Sequence, residues 1–368
     1  MPEDLTGPIL VRDATMCPAE VHQIHPLQDS RWADLVDRHP RSSAFHTVAW
    51  LDALRRTYGY QPVAYTISPP GTCLQNALLF CRVESWITGR RLVSLPFSDH
   101  CELLVDNAAD EQVLVSAAYQ KLHLEKLRYF ELRTERPLAV SNGLYFSTQR
   151  FCFHQLDLQR DLTTLLAACH KSSTQRKILR AEREGLTYEA GQSQELLDAF
   201  WNLLVITRRR HQIPPQPKSW FRNLIDCFGA ALQIRVAWKG RQPVAAILTL
   251  RHKETLVYKY GCSDTQFNNL GGTQLLFWRS IQDAKRDGLR VFDLGRSDIN
   301  NTGLIGFKDR WGSNRSMLTY SRFSLAPPSD MLGRNLTEWA GRLAKGVVPF
   351  LPDRILCVVG SALYRHIA

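Results

Sequence analysis

Leu127-Arg128-Tyr129-Phe130-Glu131-Leu132 and Leu289-Arg290-Val291-Phe292-Asp293-Leu294 are one short strand written twice, 162 residues apart between positions 127 and 289. Each is the apolar, aromatic-rich run expected of a buried strand. Each also closes an equivalent series of elements. In the first half, residues 62–67 predict a strand, 68–76 a polar turn rich in Pro and Gly, 77–83 a returning strand and 91–96 a third. Residues 111–127 then have helical spacing, with Val113, Ala117, Leu124 and Leu127 among polar positions, and 129–132 form the closing strand. The second half repeats the order. Strand 232–238 leads through the turn Lys239-Gly240-Arg241-Gln242 into strands 243–250 and 255–261. A helix over 273–287 follows, stopped by Gly288, and then strand 291–294. Six matching residues can arise by chance, but the same element order in front of both copies points to a duplication.

A hairpin, a third strand and a helix crossing to a further strand make a mixed α/β (α+β) sheet. The expected organisation is two tandem mixed-sheet domains, 1–155 and 156–326, the second including a basic helix over 171–185. Pro327-Pro328 marks the start of an amphipathic helical tail, 327–368. In the tail, Leu332, Leu336, Trp339 and Leu343 share one face. A second segment from Pro352 carries Ile355, Leu356, Val358, Val359 and Leu363. Packing on the second unit accounts for both. Arg334, Arg342, Lys345 and Arg354 add a sharper alternative, peripheral contact with an anionic membrane.

The 368 residues are 44% hydrophobic and 22% charged, an ordinary globular composition. Lys and Arg number 46 against 35 Asp and Glu, a net charge of +11, which favours anionic partners such as phosphorylated cofactors, tRNA or an acidic membrane. A basic solvated surface accounts for most of these charges equally well. Nine cysteines, at 17, 73, 81, 101, 152, 169, 227, 262 and 357, form no CxxC pair. That pattern predicts neither a metal site nor a disulfide framework, and it predicts a cytoplasmic location. The acidic, Pro-broken start shows no signal peptide, and no apolar run reaches the ~20 residues of a membrane span.

Several segments can carry chemistry. Asn268-Asn269-Leu270-Gly271-Gly272-Thr273 precedes the second helix, where glycines and a helix N-terminus suit a pyrophosphate. By itself the motif reads sooner as an ordinary Gly-containing turn with Thr273 as N-cap. The first copy has Asn107-Ala108-Ala109-Asp110 at the matching place, so the corner belongs to the second copy only. Phe292–Asp298 and Gly303–Gly312 are expected to form a long, charged, glycine-rich loop at a strand end. Arg296, Asp298, Lys308 and Arg310 crowd that exit, as ligand contacts or as local ion pairs. In the first copy Asp99, His100 and Glu102 follow a strand end, suited to a polar acceptor, to proton transfer or simply to a turn. Adjacent His100 and Cys101 make a weak metal case. Of Arg208, Arg209 and Arg210, which point in different directions on a helix, one or two can reach a phosphate, with Arg209 the representative choice. Arg176, Arg180 and Arg183 form one basic stripe for phosphates or for water.

Taken together, residues 94–102, 171–185 and 208–217, Tyr258-Lys259-Tyr260-Gly261, 292–297 and Gly306-Phe307-Lys308-Asp309-Arg310-Trp311-Gly312 resemble the FemAB-like branch of the GNAT acyltransferase superfamily, with a BioF2-like acetyltransferase domain, over roughly residues 40–325. The resemblance implies tandem GNAT-like domains and transfer of an acyl or aminoacyl group to an amine. The donor is acyl-CoA (acetyl-CoA) or aminoacyl-tRNA, no metal takes part, and some relatives act on peptidoglycan precursors or are tied to exopolysaccharide systems. It places Lys308 near donor or acceptor phosphates. The family's pyrophosphate loop, Gln/Arg-x-x-Gly-x-Gly/Ala, is departed from at both ends by Asn268, Gly271, Gly272 and Thr273, which weighs toward tRNA.

Acyl transfer needs an aligned carbonyl, oxyanion donors and a neutral amine. The expected assignments follow. Asn268, Gly271, Gly272, Thr273 and Lys308 hold the donor, and Arg209, Arg296 and Arg310 hold substrate. Tyr258 meets the oxyanion, and Asp298 or Asp99, backed by His100, takes the proton. The acceptor is a small-molecule or lipid-linked amine. A different class stays open at this point: a non-catalytic module gripping RNA or membrane through the Arg176, Arg180 and Arg183 stripe.

Overall fold

The computed structural model describes residues 20–138, 146–325 and 352–366. The first half contributes β1 (His22–Ile24), α1 (Arg31–Arg38), α2 (Val48–Tyr58), β2 (Gln61–Thr66), β3 (Leu78–Ser85), β4 (Gly89–Val93), α3 (Ala108–Leu124), β5 (Tyr129–Thr134) and β6 (Phe146–Asp157). Next come α4 (Leu162–Ala168), a π-turn over Lys171–Gln175, α5 (Arg176–Arg183), β7 (Thr187–Gly191), α6 (Gln194–Arg210) and α7 (Lys218–Phe228). The second half then runs β8 (Leu232–Lys239), β9 (Gln242–His252), β10 (Thr255–Ser263), α8 (Gly272–Arg286), β11 (Val291–Asp298), α9 (Thr302–Asp309) and β12 (Asn314–Phe323). Helix α10 (Asp353–Leu363) closes the described chain.

The duplication is visible in the pairing. In the first half β2, β3 and β4 run antiparallel, α3 crosses, and β5 lies parallel to β4 with Tyr129 opposite Arg91. In the second half β8, β9 and β10 run antiparallel, α8 crosses, and β11 lies parallel to β10 with Val291 opposite Thr255. Tyr129 and Val291 are the third residues of the two repeated hexapeptides.

The halves form one twelve-stranded sheet, ordered β1-β2-β3-β4-β5-β12-β6-β11-β10-β9-β8-β7. Its centre is an exchange. Strand β6 leaves the first half to pair with β11, and β12 leaves the second half to pair with β5. The two exchanged strands pair with each other from Asn314–Gln155 to Phe323–Phe146. The expected boundary at 155/156 falls inside β6.

Helices cover both faces, so the strands are apolar on both sides. Helix α3 closes a core with Val63, Phe80, Leu92, Leu114, Leu122 and Phe130, and α8 closes the equivalent core of the second half around Leu276, Phe277, Phe292 and Trp311. On the other face, α1, α2, α6 and α7 share one large core, in which Trp50 of the first half meets Trp220 of the second edge-on at 5.3 Å.

Three expectations are corrected. Phe292–Asp298 and Gly303–Gly312 are not one long loop, because β11 runs on to Asp298 and α9 occupies 302–309, started by the Asn301 side chain accepting from Leu304 N. Thr273 is not an N-cap. Gly271 is, in the left-handed region (φ 83°), so α8 starts at Gly272 with no side-chain cap. The basic helix 171–185 is a π-turn followed by a shorter α-helix. Of the tail, α10 docks on both halves, with the Tyr60 hydroxyl donating to Tyr364 O (2.6 Å) and the Tyr364 hydroxyl to Pro214 O (3.1 Å). Leu332, Leu336, Trp339 and Leu343 lie outside the described residues. Among the described residues no helix is long and apolar enough to cross a membrane.

Candidate functional site

Strands β10 and β11 stay paired for three positions, Thr255–Val291 to Val257–Asp293, and then part. Beyond that point β10 shifts register on β9 between Tyr258 and Tyr260, and β11 shifts on β6 between Asp293 and Arg296. Such irregularities bend strands and re-aim side chains. The first half fills the parting. Lys259 Nζ donates to Asp99 Oδ2 at 2.9 Å, Arg296 Nε stands 3.9 Å from Asp99 Oδ1, and a Cβ on Gly295 would lie 3.1 Å from that carboxylate. The Tyr320 hydroxyl donates to Asp99 O at 2.6 Å. His100 Nε2 lies 3.1 Å from Asp293 Oδ2, whose other oxygen accepts from Gly295 N at 2.7 Å. Lys308, buried, donates to the carbonyl oxygens of Gly295 (2.8 Å) and Arg296 (2.9 Å).

Charge sets the protonation of these groups. Burial opposes the Asp99 carboxylate, but Lys259, Arg296 and Lys308 outweigh it and hold its pKa below the usual value. Burial likewise opposes a charge on His100. Its bond to Asp293 and the charges of Asp293, Glu135 and Asp99 outweigh that and raise it from 6.5 to about 9. Burial lowers Lys308 to about 8, and it lowers Lys259 despite the partnership with Asp99. Burial raises Tyr258, so its hydroxyl keeps its proton and can donate. Asp99 and His100 are therefore already committed as an anion and a cation at neutral pH, which suits neither to take a proton there.

Two recesses flank the parting. The first, about 300 Å³, sits at the start of α8 and is lined by Lys177, Arg210, His211, Tyr258, Asn268 and Thr273 among others. Here a Cβ on Gly271 would collide with the Lys177 carbonyl oxygen, so only glycine lets α5 come this close with a left-handed residue opening the helix. The first-turn amides of α8 have no side-chain cap and face a recess carrying two cationic side chains, an arrangement suited to a phosphate group. The second recess, also about 300 Å³, is lined by Arg41, Ser43, His100, Glu102, Glu135, Arg136, Val257 and Asp293 among others. Val257 lines one and Tyr258 the other. Both recesses therefore meet β10 where it parts from β11, the first reaching it from between α6 and α8 and the second from the side of residues 40–44 and 135–136.

The second recess holds unsatisfied polarity. His100 Nδ1, Glu102 Oε2 and an Arg41 guanidinium nitrogen are buried without hydrogen-bond partners. Arg136 Nε stands 3.8 Å from Glu102 Oε2, and Glu135 Oε1 3.8 Å from His100 Nδ1. Burial raises the pKa of Glu102 and of Glu135.

The expected site residues separate accordingly. Tyr258, Asn268 and Thr273 share the first recess, which Gly271 and Gly272 shape from behind; a Cβ on Gly272 would lie 3.0 Å from Val244. His100 lines the second recess, while Asp99 and Arg296 fill the parting between them. Arg296 also lies over the Phe151 ring, 4.4 Å from its centroid. Three residues stand elsewhere. Arg209 pairs with Asp353 of α10, leaving Arg210 to line the recess at the start of α8. Asp298 is the exposed last residue of β11, accepting from Asn300 N at 2.8 Å. Arg310 is exposed at the end of α9, its carbonyl accepting from His170 N at 2.8 Å. Lys177, Glu135, Arg41 and Lys259 are not singled out by the sequence. Lys177 and Lys259 lie inside the basic segment 171–185 and the motif 258–261, but Glu135 and Arg41 stand in polar connections that carry no pattern. Among the described residues no group of three or more His, Cys, Asp or Glu is placed to hold a metal ion.

Residues 170–308, which include the α8 corner, match the family described as Acetyltransferase (GNAT) domain. No curated protein matches the sequence. Among solved structures, FemX superposes with a TM-score of 0.62 at 13% identity, over 87% of this chain and 100% of its own. The C-terminal domain of an Agrobacterium fabrum protein described as a lysylphosphatidylglycerol synthetase gives 0.53 at 14%, over 86% and 95%. A tandem GNAT protein from the clavulanic acid biosynthesis pathway gives 0.52 at 12%, over 84% and 99%. At such identities the likeness is one of fold, and it is the mixed-sheet fold that the repeated hexapeptide announces.

Proposed function

We propose that this chain, an acyltransferase with a GNAT domain over residues 170–308, moves an acyl group from acyl-CoA to the amine of a cell-envelope or exopolysaccharide-related acceptor on the cytoplasmic side. The acceptor is a small or lipid-linked molecule. The observation that carries this reading is the uncapped start of α8, opening with Lys177 and Arg210 onto the parting of β10 and β11. In this account the corner holds the donor phosphates and the parting aligns the thioester carbonyl. The amine nitrogen, approaching from the second recess, bonds to the carbonyl carbon. The Tyr258 hydroxyl donates to the oxyanion as it forms. The C–S bond then breaks, the thiolate leaves and takes up a proton, and the amine proton passes to a base. Glu102 and Glu135, raised by burial and lining the acceptor recess, suit that role better than the ion-paired Asp99. Arg41 and Arg136 there fit an acceptor that also carries an anionic group.

Aminoacyl-tRNA is the second donor reading. It is favoured by the exposed Arg176, Arg180 and Arg183 beside the Lys177 corner and by the departure of residues 268–273 from the family loop. The Agrobacterium fabrum structure of like fold is likewise described as a lysylphosphatidylglycerol synthetase domain, and lysylphosphatidylglycerol is an aminoacylated lipid. Thiol release from acetyl-CoA in the presence of an amine panel tests the first reading, and transfer from charged tRNA tests the second. Turnover with neither donor refutes both.

A further inference from the structure

Trp86 and Ile87 form the tip of the β3–β4 hairpin, and they are 87% and 55% exposed. The tip is held in shape, with Ser85 Oγ accepting from Ile87 N (3.1 Å) and Thr88 N (3.0 Å). It is also held against the end of the chain. Arg91 and the Thr88 hydroxyl donate to His366 O at 2.8 and 3.0 Å, and the His366 ring stands edge-on to Trp86 at 5.9 Å. The helix leading there, α10, docks through buried Leu356 and through Gly360, where a Cβ would collide with the Pro215 carbonyl. Its other side is apolar too. Ile355, Val358 and Val359, at i, i+3 and i+4, are 49%, 69% and 39% exposed. Single exposed apolar residues are ordinary, but a tryptophan at a hairpin tip tied to a helix with an outward apolar stripe is not a scatter.

The rim of this patch is basic. Arg90 and Arg128 are exposed beside the tip, Arg128 donating to Thr88 O at 3.4 Å, and exposed Arg365 adjoins His366. The whole chain carries +11. We infer that the Trp86–Ile87 tip and the outer face of α10 form a docking surface for an anionic phospholipid membrane. The tryptophan and the aliphatic stripe enter the headgroup region while the arginines meet lipid phosphates. Indole rings favour that depth, an apolar helix face lying flat adds buried area, and basic residues add electrostatic attraction. The surface is separate from both recesses and holds whichever donor the enzyme uses. It would bring a lipid-linked acceptor and the enzyme to the same interface.

The test is co-sedimentation of the full chain with vesicles of phosphatidylcholine alone and of phosphatidylcholine mixed with phosphatidylglycerol, at low and high salt. The surface predicts binding to the mixed vesicles that weakens with salt. Trp86→Ser together with Val358→Asp should lower that partitioning by roughly tenfold or more, with an unchanged melting temperature. Equal binding by parent and variant, or no binding by the parent, overturns the inference. So does a concentration-dependent dimer that Val358→Asp abolishes without vesicle binding, which would make the stripe an interface between copies. A melting temperature lowered by Val358→Asp with binding unchanged would show the chain itself covering the stripe, and would equally overturn it.

Discussion

The Lys308 ammonium lies buried against the carbonyl oxygens of Gly295 and Arg296, where it fastens α9 across β11 just beyond the parting. The family resemblance points to this residue as a phosphate contact, whereas its bonds make it a brace for the site's backbone. Lys308→Met strands two buried carbonyls, at a cost of about 1–3 kcal/mol. Thermal denaturation of the variant should show that loss while donor affinity of the folded fraction stays close to the parent's; a selective loss of donor affinity would restore the phosphate role. His100 gives a pH signature. Its pKa rises from 6.5 to about 9 on folding. The stabilisation from the His100–Asp293 pair is therefore full below pH 6.5 and is lost as pH rises through about 9, roughly 3 kcal/mol in all. Stability profiles of the parent and of His100→Gln should converge toward the alkaline end, and parallel profiles would contradict the assignment. At this scale the sequence marked the right neighbourhoods and often the wrong neighbour. Arg209 and Arg210 are consecutive on α6, and one residue of helix rotation decides which meets Asp353 and which the phosphate corner. That phase depends on packing that composition does not reveal.

Helix α8 lies between two glycines that do different things, Gly271 before it and Gly288 after it, and the corner at its start depends on the first. Gly271 combines a φ of 83° with the close approach of Lys177 O; Gly288, after the same helix, has a φ of 76° and no atom within 4 Å of a built Cβ. Gly288→Ala should cost only the left-handed penalty of about 1–2 kcal/mol. Gly271→Ala should cost clearly more and should weaken donor binding as well, because α5 has to retreat from the corner. Equal melting temperatures for the two variants would contradict this. The repeated strands and crossing helices were legible because periodicity and turn residues agree there, as in residues 232–263. Helix α9 was hidden by Gly303 and Gly306, poor helix formers that its Asn301 cap and its packing through Ile305 and Phe307 override.

Across the whole molecule, β6 and β12 change places, so neither half completes its sheet alone. The sequence predicts neither β6 nor β12, and local patterning in residues 146–157 and 314–323 would not say which half they join, since either edge satisfies it. The exchange and the shared Trp50–Trp220 core predict one cooperative unfolding transition by calorimetry, and two resolved transitions would contradict it. In the proposed account the two copies serve one reaction: the second supplies the α8 corner, and the first fills the parting with Asp99 and shapes the second recess with Arg41, Glu102 and Glu135. The central claim is that the corner of α8 holds a phosphate-bearing acyl donor. Its most direct test is the melting temperature of the full chain with acetyl-CoA, for the parent and for Lys177→Glu/Arg210→Glu. A ligand that binds the folded state at 100 times its Kd stabilises by about 2.7 kcal/mol. The account predicts an upward shift in the parent that the charge reversal removes. No shift in the parent, or an equal shift in both, contradicts it.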